Sequence, residues 1–327
     1  MRIVISDDYQ DAVRSLACFG KLKGHEVTIY NDSVADTDAL AKRFADAEAL
    51  VLIRERTRIS AELLGRLPQL KLISQTGRVG PQIDTEACTR RGVIVCYTGG
   101  SSYAPAELTW GLVLAASRHI ALEDRRLREG RWQTTLGTCL HGRTLGIYGY
   151  GKIGRIVARY GKAFDMRVLA WGREGSLARA REDGVEPASG RQQLFTQSDV
   201  LSLHLRLASD TRHGISGADL AQMKPGGILV NTSRAELIAP GALEHALRQG
   251  RPGFAGIDVF EDEPVLGARD PLLAMDNVVC TPHLGYVVTD NYELYFGSAF
   301  DNILAYAAGK PVNVVNPEAL QTNLNRS

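Results

Sequence analysis

Short apolar segments alternate with stretches of helical periodicity along almost the whole chain. In the first third, five apolar segments predict strands: Ile3–Ile5, Glu26–Tyr30, Ala49–Ile53, Leu70–Gln75 and Val93–Cys96. Between them, segments such as Asp36–Ala45 and Ile83–Arg91 carry apolar residues at helical spacing. Apolar strands that alternate with helices are typical of a parallel sheet covered on both faces, so the pattern predicts an α/β fold.

The same alternation is repeated in the second part of the chain. Its predicted strands are Leu145–Tyr148, Arg167–Trp171, Val200–His204, Gly227–Asn231, Phe254–Val259 and Val278–Thr281. The apolar helix Pro105–Arg118 is long enough to carry the chain from one domain to the other, and the helical tail Asn291–Ala308 returns it. We therefore predict two doubly wound domains, formed by residues 1–100 with 287–327 and by residues 101–286. The ligand cleft is expected between them, at the carboxyl ends of both sheets.

Composition narrows the class of protein. The 38 Lys and Arg residues nearly balance 37 Asp and Glu residues, a net charge of +1 that gives no indication of nucleic-acid or membrane binding. The five cysteines are scattered without a CxxC pair, which is typical of a reducing compartment, and no metal site is predicted. No apolar run approaches the ~20 residues of a membrane span, and no signal peptide is visible. We predict a cytoplasmic protein that acts on small molecules.

The segment Gly149–Gly154 carries the spacing GxGxxG between a predicted strand and a predicted helix. In this context the first glycine permits a tight turn, the second lets backbone approach phosphates, and the third lets the helix pack close to the strand. The N-terminus of the following helix favours a pyrophosphate. The motif predicts that residues 101–286 form a Rossmann domain that binds NAD or NADP.

The choice between NAD and NADP depends on the residues that follow the second strand of this domain. An acid about 20 residues past the glycines usually binds the adenosine ribose hydroxyls. Here the strand ends Trp171-Gly172-Arg173-Glu174, with glycine where the acid is expected. The missing carboxylate and the guanidinium of Arg173, joined by Arg206, favour the 2′-phosphate of NADP. Three alternatives stay open: Glu174 reaches the ribose, Arg173 is a solvated surface arginine, or Arg173 stacks on the adenine.

Three polar segments follow apolar strands of the second domain, where a doubly wound sheet gathers its ligand groups. They are Val230–Ala235, Gly256–Pro264 and Cys280–Gly285. Together with the glycine motif, these segments occur in the same order as the motifs of the D-2-hydroxyacid dehydrogenase family, which the chain resembles. That family includes phosphoglycerate dehydrogenases, glyoxylate and hydroxypyruvate reductases, and D-lactate dehydrogenases. The resemblance extends over nearly the whole chain through Leu70-Lys71, Ile83-Asp84 and Pro105-Ala106-Glu107. It implies a flavodoxin-like substrate domain for residues 1–100 with 287–327.

The resemblance implies three catalytic residues, Arg234, Glu263 and His283. Reduction of a 2-oxo acid requires a hydride on the carbonyl carbon and a proton on its oxygen, and a protonated imidazole supplies the proton near neutral pH. A neighbouring carboxylate stabilises that imidazolium and fixes its tautomer, a role that suits Glu263. Arg234 can bind the substrate carboxylate and polarise the carbonyl. Formate dehydrogenases of similar fold carry glutamine at the glutamate position, so Glu263 argues against formate.

Cofactor-binding residues are predicted along the glycine turn and the strand ends, and the resemblance implies that Asp258 lies near the nicotinamide amide. The predicted set is Tyr150, Gly151, Lys152, Ile153, Gly172, Arg173, His204, Leu205, Arg206, Thr211, Thr232, Ser233, Asp258 and Gly285. An alternative for His204 is a core histidine at a strand end.

Substrate-binding residues are predicted in the first domain. Backbone N–H groups of Arg78, Val79 and Gly80 can hold the substrate carboxylate as a nest. The loop departs from the small residues usual in the family, and Arg54 ends a neighbouring strand. Two arginines suit a substrate with a second anionic group, whereas the alternative is that Arg54 pairs with Glu55 or solvent.

The sequence thus predicts an oxidoreductase that transfers a hydride between NAD(P)H and a 2-oxo acid or its D-2-hydroxy acid. The resemblance implies a homodimer built through the nucleotide domain. One alternative is a dinucleotide-sensing binding protein, similar to corepressors that keep this fold. Another is a Rossmann methyltransferase, which leaves the order of Arg234, Glu263 and His283 unexplained.

Overall fold

The computed structural model describes residues 1–324, which form twelve strands and twelve α-helices within that range. The strands are β1 (Arg2–Ile5), β2 (Glu26–Ile29), β3 (Ala49–Ile53), β4 (Leu72–Thr76), β5 (Ile94–Tyr97), β6 (Thr144–Tyr148), β7 (Arg167–Trp171), β8 (Glu186–Pro187), β9 (Val200–Leu203), β10 (Ile228–Asn231), β11 (Phe254–Ile257) and β12 (Val278–Cys280). The helices are α1 (Thr37–Phe44), α2 (Ala61–Gly65), α3 (Thr85–Arg90), α4 (Tyr103–Arg118), α5 (Ile120–Arg128), α6 (Lys152–Ala163), α7 (Glu174–Glu182), α8 (Arg191–Gln197), α9 (Gly217–Leu220), α10 (Ala242–Arg248), α11 (Thr289–Ala307) and α12 (Glu318–Leu324).

The chain divides into two compact units. The first contains Met1–Ser101 and the chain from Val288 on, and the second contains Ser102–Val287. Helix α4 begins the second unit, and α11 begins the return to the first.

The first unit is built on a parallel five-stranded sheet of order β2-β1-β3-β4-β5. Every residue of β3 and β4 is buried, because helices cover both faces of the sheet. Ile53 pairs with Thr76, so that β3 and β4 end level and the loops after them start side by side. The strand order is that of flavodoxin-like folds, in which ligands bind outside the carboxyl ends of the strands.

The second unit is built on a parallel seven-stranded sheet of order β12-β11-β10-β9-β6-β7-β8. The strand order reverses between β6 and β9, where Tyr148 pairs with Leu203. From β9 outward, the four strands β9, β10, β11 and β12 end level with one another, at Leu203, Asn231, Ile257 and Cys280. This register explains why segments far apart in sequence emerge at one edge of the sheet.

The predicted α/β fold with two doubly wound parallel sheets is confirmed. The boundaries of most predicted strands shift by one or two residues; β4, for example, is Leu72–Thr76 rather than Leu70–Gln75. The two-residue edge strand β8 and the helix α5 were not among the predicted elements. Helix α5 follows α4 directly through His119, whose left-handed φ of 53° breaks the helical path. Within residues 1–324, none of the helices combines the length and apolarity needed to cross a bilayer.

Candidate active site

The turn between β6 and α6 has the form that the glycine spacing predicted. Gly149 has a φ of 100°, and a Cβ placed there would lie 2.6 Å from the carbonyl oxygen of His204. A Cβ on Gly154 would lie 2.5 Å from the carbonyl oxygen of Gly149, so the helix and turn are packed as closely as glycine allows. A Cβ on Gly151 would meet no atom within 4 Å. This open space at the N-terminus of a 12-residue helix fits a pyrophosphate.

The side chain of Tyr150 does not face that space. The residue is 1% exposed, and its hydroxyl donates a hydrogen bond to Oδ2 of Asp183 at 3.0 Å. Arg155 holds the same carboxylate through two bonds of 2.7 and 2.9 Å. The predicted role of Tyr150 in cofactor binding is therefore limited to its backbone, because its ring belongs to the core beneath the glycine turn. The neighbouring Lys152 is exposed, and Ile153 is half-buried.

The residues after β7 leave room at the position where an acid was expected. A Cβ on Gly172 would have Ser176 Oγ as its nearest neighbour, at 3.4 Å. Exposed Arg173 donates from Nη2 to Asp210 Oδ2 at 2.8 Å, and Glu174 accepts from Arg181 at 2.7 Å. Both residues named in the cofactor prediction thus have partners in the chain.

His204 and Leu205 follow β9 at the switch point of the sheet. Desolvation lowers the pKa of His204 to about 4, so its imidazole is neutral at pH 7. Its Nε2 lies 2.9 Å from Ser202 Oγ. The residue is half-buried, and its backbone packs against Gly149.

The segment after β10 is held by Asn231, which is 1% exposed. Its Oδ1 accepts from the N–H of Ser233 at 3.0 Å, and its Nδ2 donates to the carbonyl of Arg234 at 2.9 Å. The hydroxyls of Thr232 and Thr109 lie 2.7 Å apart, and Ser233 Oγ donates to the carbonyl of Leu203. This local network fixes the backbone from which the half-buried Arg234 side chain extends.

His283 and Glu263 form a pair. Nδ1 of His283 lies 2.6 Å from Oε2 of Glu263, while Oε1 of Glu263 accepts from the N–H of Phe260 at 2.9 Å. A carboxylate only accepts, so Nδ1 carries a hydrogen and Nε2 is directed elsewhere. The ring of Tyr286 lies edge-on to the imidazole, with centroids 5.5 Å apart. Carboxylate and aromatic ring together restrict the orientation of His283.

Asp258 anchors the loop that carries His283. Its Oδ1 accepts from Thr281 Oγ1 at 2.6 Å and from the N–H of Leu284 at 2.7 Å, and its Oδ2 accepts from the N–H of Gly285 at 2.9 Å. Burial raises the pKa of Asp258, opposed by these hydrogen bonds and by the charge of His283. Both carboxylate oxygens are thus used to order the loop.

Residues 110–285 match the sequence profile of the NAD binding domain of the D-isomer specific 2-hydroxyacid dehydrogenases. The chain belongs to this family. A glyoxylate reductase from Aeropyrum pernix is 39% identical over 295 residues, which cover 87% of each chain.

Two solved structures are also similar. A protein described as a putative D-3-phosphoglycerate dehydrogenase oxidoreductase from Ralstonia solanacearum superimposes with a TM-score of 0.95, at 54% identity over 98% of both chains. A phosphoglycerate oxidoreductase from Vibrio cholerae gives 0.92, at 50% identity over 94% of this chain and 99% of that one.

The protein is therefore an NAD(P)-linked oxidoreductase of 2-hydroxy acids, with an NAD-binding domain and a small-molecule acid as substrate. These relatives are named as enzymes, and the alternative of a dinucleotide-sensing protein is not supported. Membership of the family excludes the methyltransferase alternative.

The dehydrogenase carries its predicted substrate-binding residues after β3 and β4 of the first unit. Within the described chain, the N–H groups of Arg78, Val79 and Gly80 have no hydrogen-bond acceptor, whereas the N–H of Gly77 donates to Thr98 Oγ1 at 2.8 Å. Three consecutive N–H groups without an acceptor are suited to an anion. The side chain of Arg78 is exposed.

Arg54 is oriented toward this loop. It has a left-handed φ of 54°, and its N–H donates to Thr76 Oγ1 at 2.9 Å. Its guanidinium occupies the space that a side chain on Gly77 would need, and it lies 5.7 Å from the ring centroid of Tyr295. The predicted alternative, a pair with Glu55, is present at 3.7 Å. Arg54 therefore contacts both the loop and the neighbouring acid.

Three residues that the sequence analysis left without a role belong to this site. Asn231 and Tyr286 order the catalytic segments, and Asp210 is the partner of Arg173. Asn231 lies in the segment Val230–Ala235, which the sequence pattern had indicated, and Tyr286 directly follows the segment Cys280–Gly285. Asp210 gave no signal, because it is 37 residues away from Arg173.

Proposed function

We propose that the dehydrogenase interconverts a 2-oxo acid and its D-2-hydroxy acid with His283 as the acid–base group. The observation that supports this role is the 2.6 Å contact between His283 Nδ1 and Glu263 Oε2. It leaves Nε2 as the atom that protonates the carbonyl oxygen during reduction and removes the proton during oxidation. The nicotinamide, when bound, supplies or accepts the hydride. Glu263 stabilises the imidazolium and holds its ring in one orientation.

Substrate positioning is assigned to Arg234 and to the loop after β4. A guanidinium donates two parallel hydrogen bonds to a carboxylate, which orients the substrate and polarises the adjacent carbonyl. The N–H groups of Arg78, Val79 and Gly80 add donors for the carboxylate without a competing acceptor in the described chain. These roles explain why an acid, rather than a neutral ketone, is the substrate.

We further propose that the substrate carries a second anionic group, a phosphate or a carboxylate. Arg54 and Arg78 support this proposal, because both lie at the carboxyl edge of the first sheet around the Gly77 turn. The relatives from Ralstonia solanacearum and Vibrio cholerae are named for phosphoglycerate, whereas the Aeropyrum pernix enzyme is named for glyoxylate.

Initial rates of NADPH and NADH oxidation with a panel of 2-oxo acids test the function. The panel contains glyoxylate, hydroxypyruvate, phenylpyruvate, 2-oxoglutarate and phosphohydroxypyruvate. The expected result is turnover, with kcat/KM higher for the two dianionic or phosphorylated acids, and loss of that preference in Arg54→Met. Equal kcat/KM values for glyoxylate and phosphohydroxypyruvate would contradict the second anion, and no turnover of any acid despite tight cofactor binding would contradict the reaction.

NADP(H) is the proposed preferred cofactor, supported by Gly172 and Arg173 at the end of β7. We expect Arg173→Ala to weaken NADPH binding by about tenfold and to change NADH binding by less than twofold, since only NADPH presents a phosphate to the guanidinium. Fluorescence titration of each reduced cofactor measures this. Equal losses for both cofactors would remove Arg173 from the phosphate-binding role.

A homodimer formed through the second unit is also proposed. Helix α5 and the segment after it expose several large apolar side chains: Ile120, Leu127, Trp132 and Leu136, of which Trp132 is 76% and Leu136 95% exposed. Apolar side chains in one segment are typical of a protein interface. A cytoplasmic location is proposed as well, because all five cysteines are free thiols.

Sedimentation velocity tests the dimer. Burial of each apolar side chain stabilises an interface by about 1.5–3 kcal/mol, so Trp132→Ser with Leu136→Ser should raise the dimer dissociation constant by about 10²-fold or more. Leu266→Ser is the matched control, because Leu266 is 70% exposed in a different loop. A wild-type chain that sediments at 35.6 kDa at micromolar concentration would contradict the dimer.

A further inference from the structure

The guanidinium assigned to the cofactor phosphate is already paired within the chain. Arg173 Nη2 lies 2.8 Å from Asp210 Oδ2, and the side chains are 82% and 59% exposed. Only one Arg173 nitrogen is used, and a guanidinium has five N–H donors. We propose that Asp210 is a specificity-determining residue that competes with the 2′-phosphate of NADP(H) for Arg173. This inference rests on the proposed role of Arg173.

The turn that presents Asp210 is ordered by hydrogen bonds. Thr211 Oγ1 accepts from the N–H of Ala208 at 2.8 Å and donates to the carbonyl of Arg206 at 2.7 Å. The N–H groups of Thr211 and Arg212 donate to the carbonyl of Ala208 at 3.0 and 2.9 Å. The backbone of residues 206–212 therefore holds the Asp210 carboxylate beside the end of β7. Thr211, predicted to bind the cofactor, has its hydroxyl engaged in this turn.

The other acidic group near the end of β7, Glu174, pairs with a different arginine, Arg181. Gly172 has no side chain, and Glu174 accepts from Arg181 at 2.7 Å. Asp210 is thus the carboxylate that pairs with Arg173, and it would compete with a phosphate for the same guanidinium. The position that normally carries the ribose-binding acid is empty, and a carboxylate from a different loop replaces part of its charge. The chain consequently combines Gly172, which leaves room for the 2′-phosphate of NADP, with Asp210, whose negative charge lowers the preference for NADP over NAD.

The size of the effect follows from the exposure of the pair. Ion pairs between exposed side chains are weak and are screened by salt. The phosphate can therefore displace Asp210 from Arg173, but the lost ion pair reduces the binding free energy of the cofactor. Removal of the carboxylate should tighten binding of the phosphorylated cofactor by about two- to fivefold at low salt. The gain should shrink at 0.3 M salt, where the Debye length is well below 10 Å. NADH has no phosphate at this position, and its affinity should change by less than twofold.

Equilibrium binding, rather than turnover, tests the proposal. NADPH and NADH are titrated by fluorescence, and 2′-phospho-ADP-ribose and ADP-ribose by calorimetry, into the full-length wild type, Asp210→Asn, Asp210→Ala, Arg173→Ala and Arg173→Ala/Asp210→Asn. Glu244→Gln is the control for net charge, because Glu244 forms a partly exposed pair with Arg248 at 2.9 Å on α10. Melting temperatures establish that each variant is folded.

The expected result is tighter binding of both phosphorylated ligands in Asp210→Asn and Asp210→Ala, unchanged binding in Glu244→Gln, and no effect of Asp210→Asn once Arg173 is alanine. An equal gain in the Arg173→Ala background would show direct repulsion and overturn competition for Arg173. Unchanged NADPH affinity in both Asp210 variants would also overturn it. If Arg173→Ala weakens NADPH and NADH binding equally, the proposed role of Arg173 is contradicted. That result differs from the one that contradicts competition by Asp210, so the two proposals are tested separately.

Discussion

Replacing His283 by asparagine is expected to lower kcat for reduction of the preferred 2-oxo acid by about 10²- to 10⁴-fold, the range in which general acid catalysis contributes. Asparagine can still contact Glu263, but it has no group that donates a proton near neutral pH. The dissociation constants of NADPH and NADH should change by less than twofold, since the glycine turn proposed to hold the cofactor follows β6, not β12. Single-turnover oxidation of bound NADPH measures the chemical step directly.

Glu263→Gln is the companion variant for this prediction. Glutamine keeps an oxygen that can accept from the N–H of Phe260, so the loop is preserved, but it removes the charge that stabilises the imidazolium. A smaller loss of kcat than in His283→Asn is expected, because the imidazole itself is kept. A His283→Asn enzyme within threefold of wild-type kcat would exclude His283 as the proton donor.

Replacing Arg234 by glutamine is expected to lower kcat/KM for 2-oxo acids by about 10²-fold or more, because the substrate carboxylate would lose the charged, two-point contact proposed for Arg234. KM should rise and kcat should fall, since the proposed contact both binds the acid and orients its carbonyl. Steady-state rates over a wide range of substrate concentration separate the two parameters.

The Arg234→Lys variant tests whether geometry matters beyond charge. Lysine restores the positive charge but not the planar fork, so it should recover substrate affinity more than kcat. Binding of NADPH serves as the control, and it should be unchanged in both variants. Full activity of Arg234→Lys would show that Arg234 acts as a point charge. Full activity of Arg234→Gln would show that Arg234 has no role in substrate binding.

The fold was predictable because its signals are local. Apolar strands such as Ala49–Ile53 are buried on both faces, and a buried strand must be apolar along its length. The glycine turn was predictable for a similar reason: Gly149 and Gly154 are required by close contacts within six residues of chain and with the adjacent strand. The two-residue strand β8 was not named, because two residues carry no periodicity.

Partners of the polar side chains were harder to predict. The sequence placed Tyr150 with the cofactor because it stands within the glycine motif, but packing turns its ring into the core, where Asp183 accepts its hydroxyl. Asp258 was predicted near the nicotinamide amide, and nothing in the sequence indicated that both of its carboxylate oxygens accept hydrogen bonds from the loop of His283. Such partners lie more than 20 residues away, and no local pattern records them.

The sequence by itself determined the α/β class, the alternation that builds two parallel sheets, and the family to which the chain belongs, because periodicity, turn glycines and ordered motifs are properties of neighbouring residues. Only the tertiary structure decided which side chains meet: Glu263 with His283, Asp258 with the loop at Gly285, and Asp210 with Arg173. Those contacts depend on strand register and on the path of the loops between strands. Both are fixed by packing of the whole sheet, not by the spacing of residues along the chain.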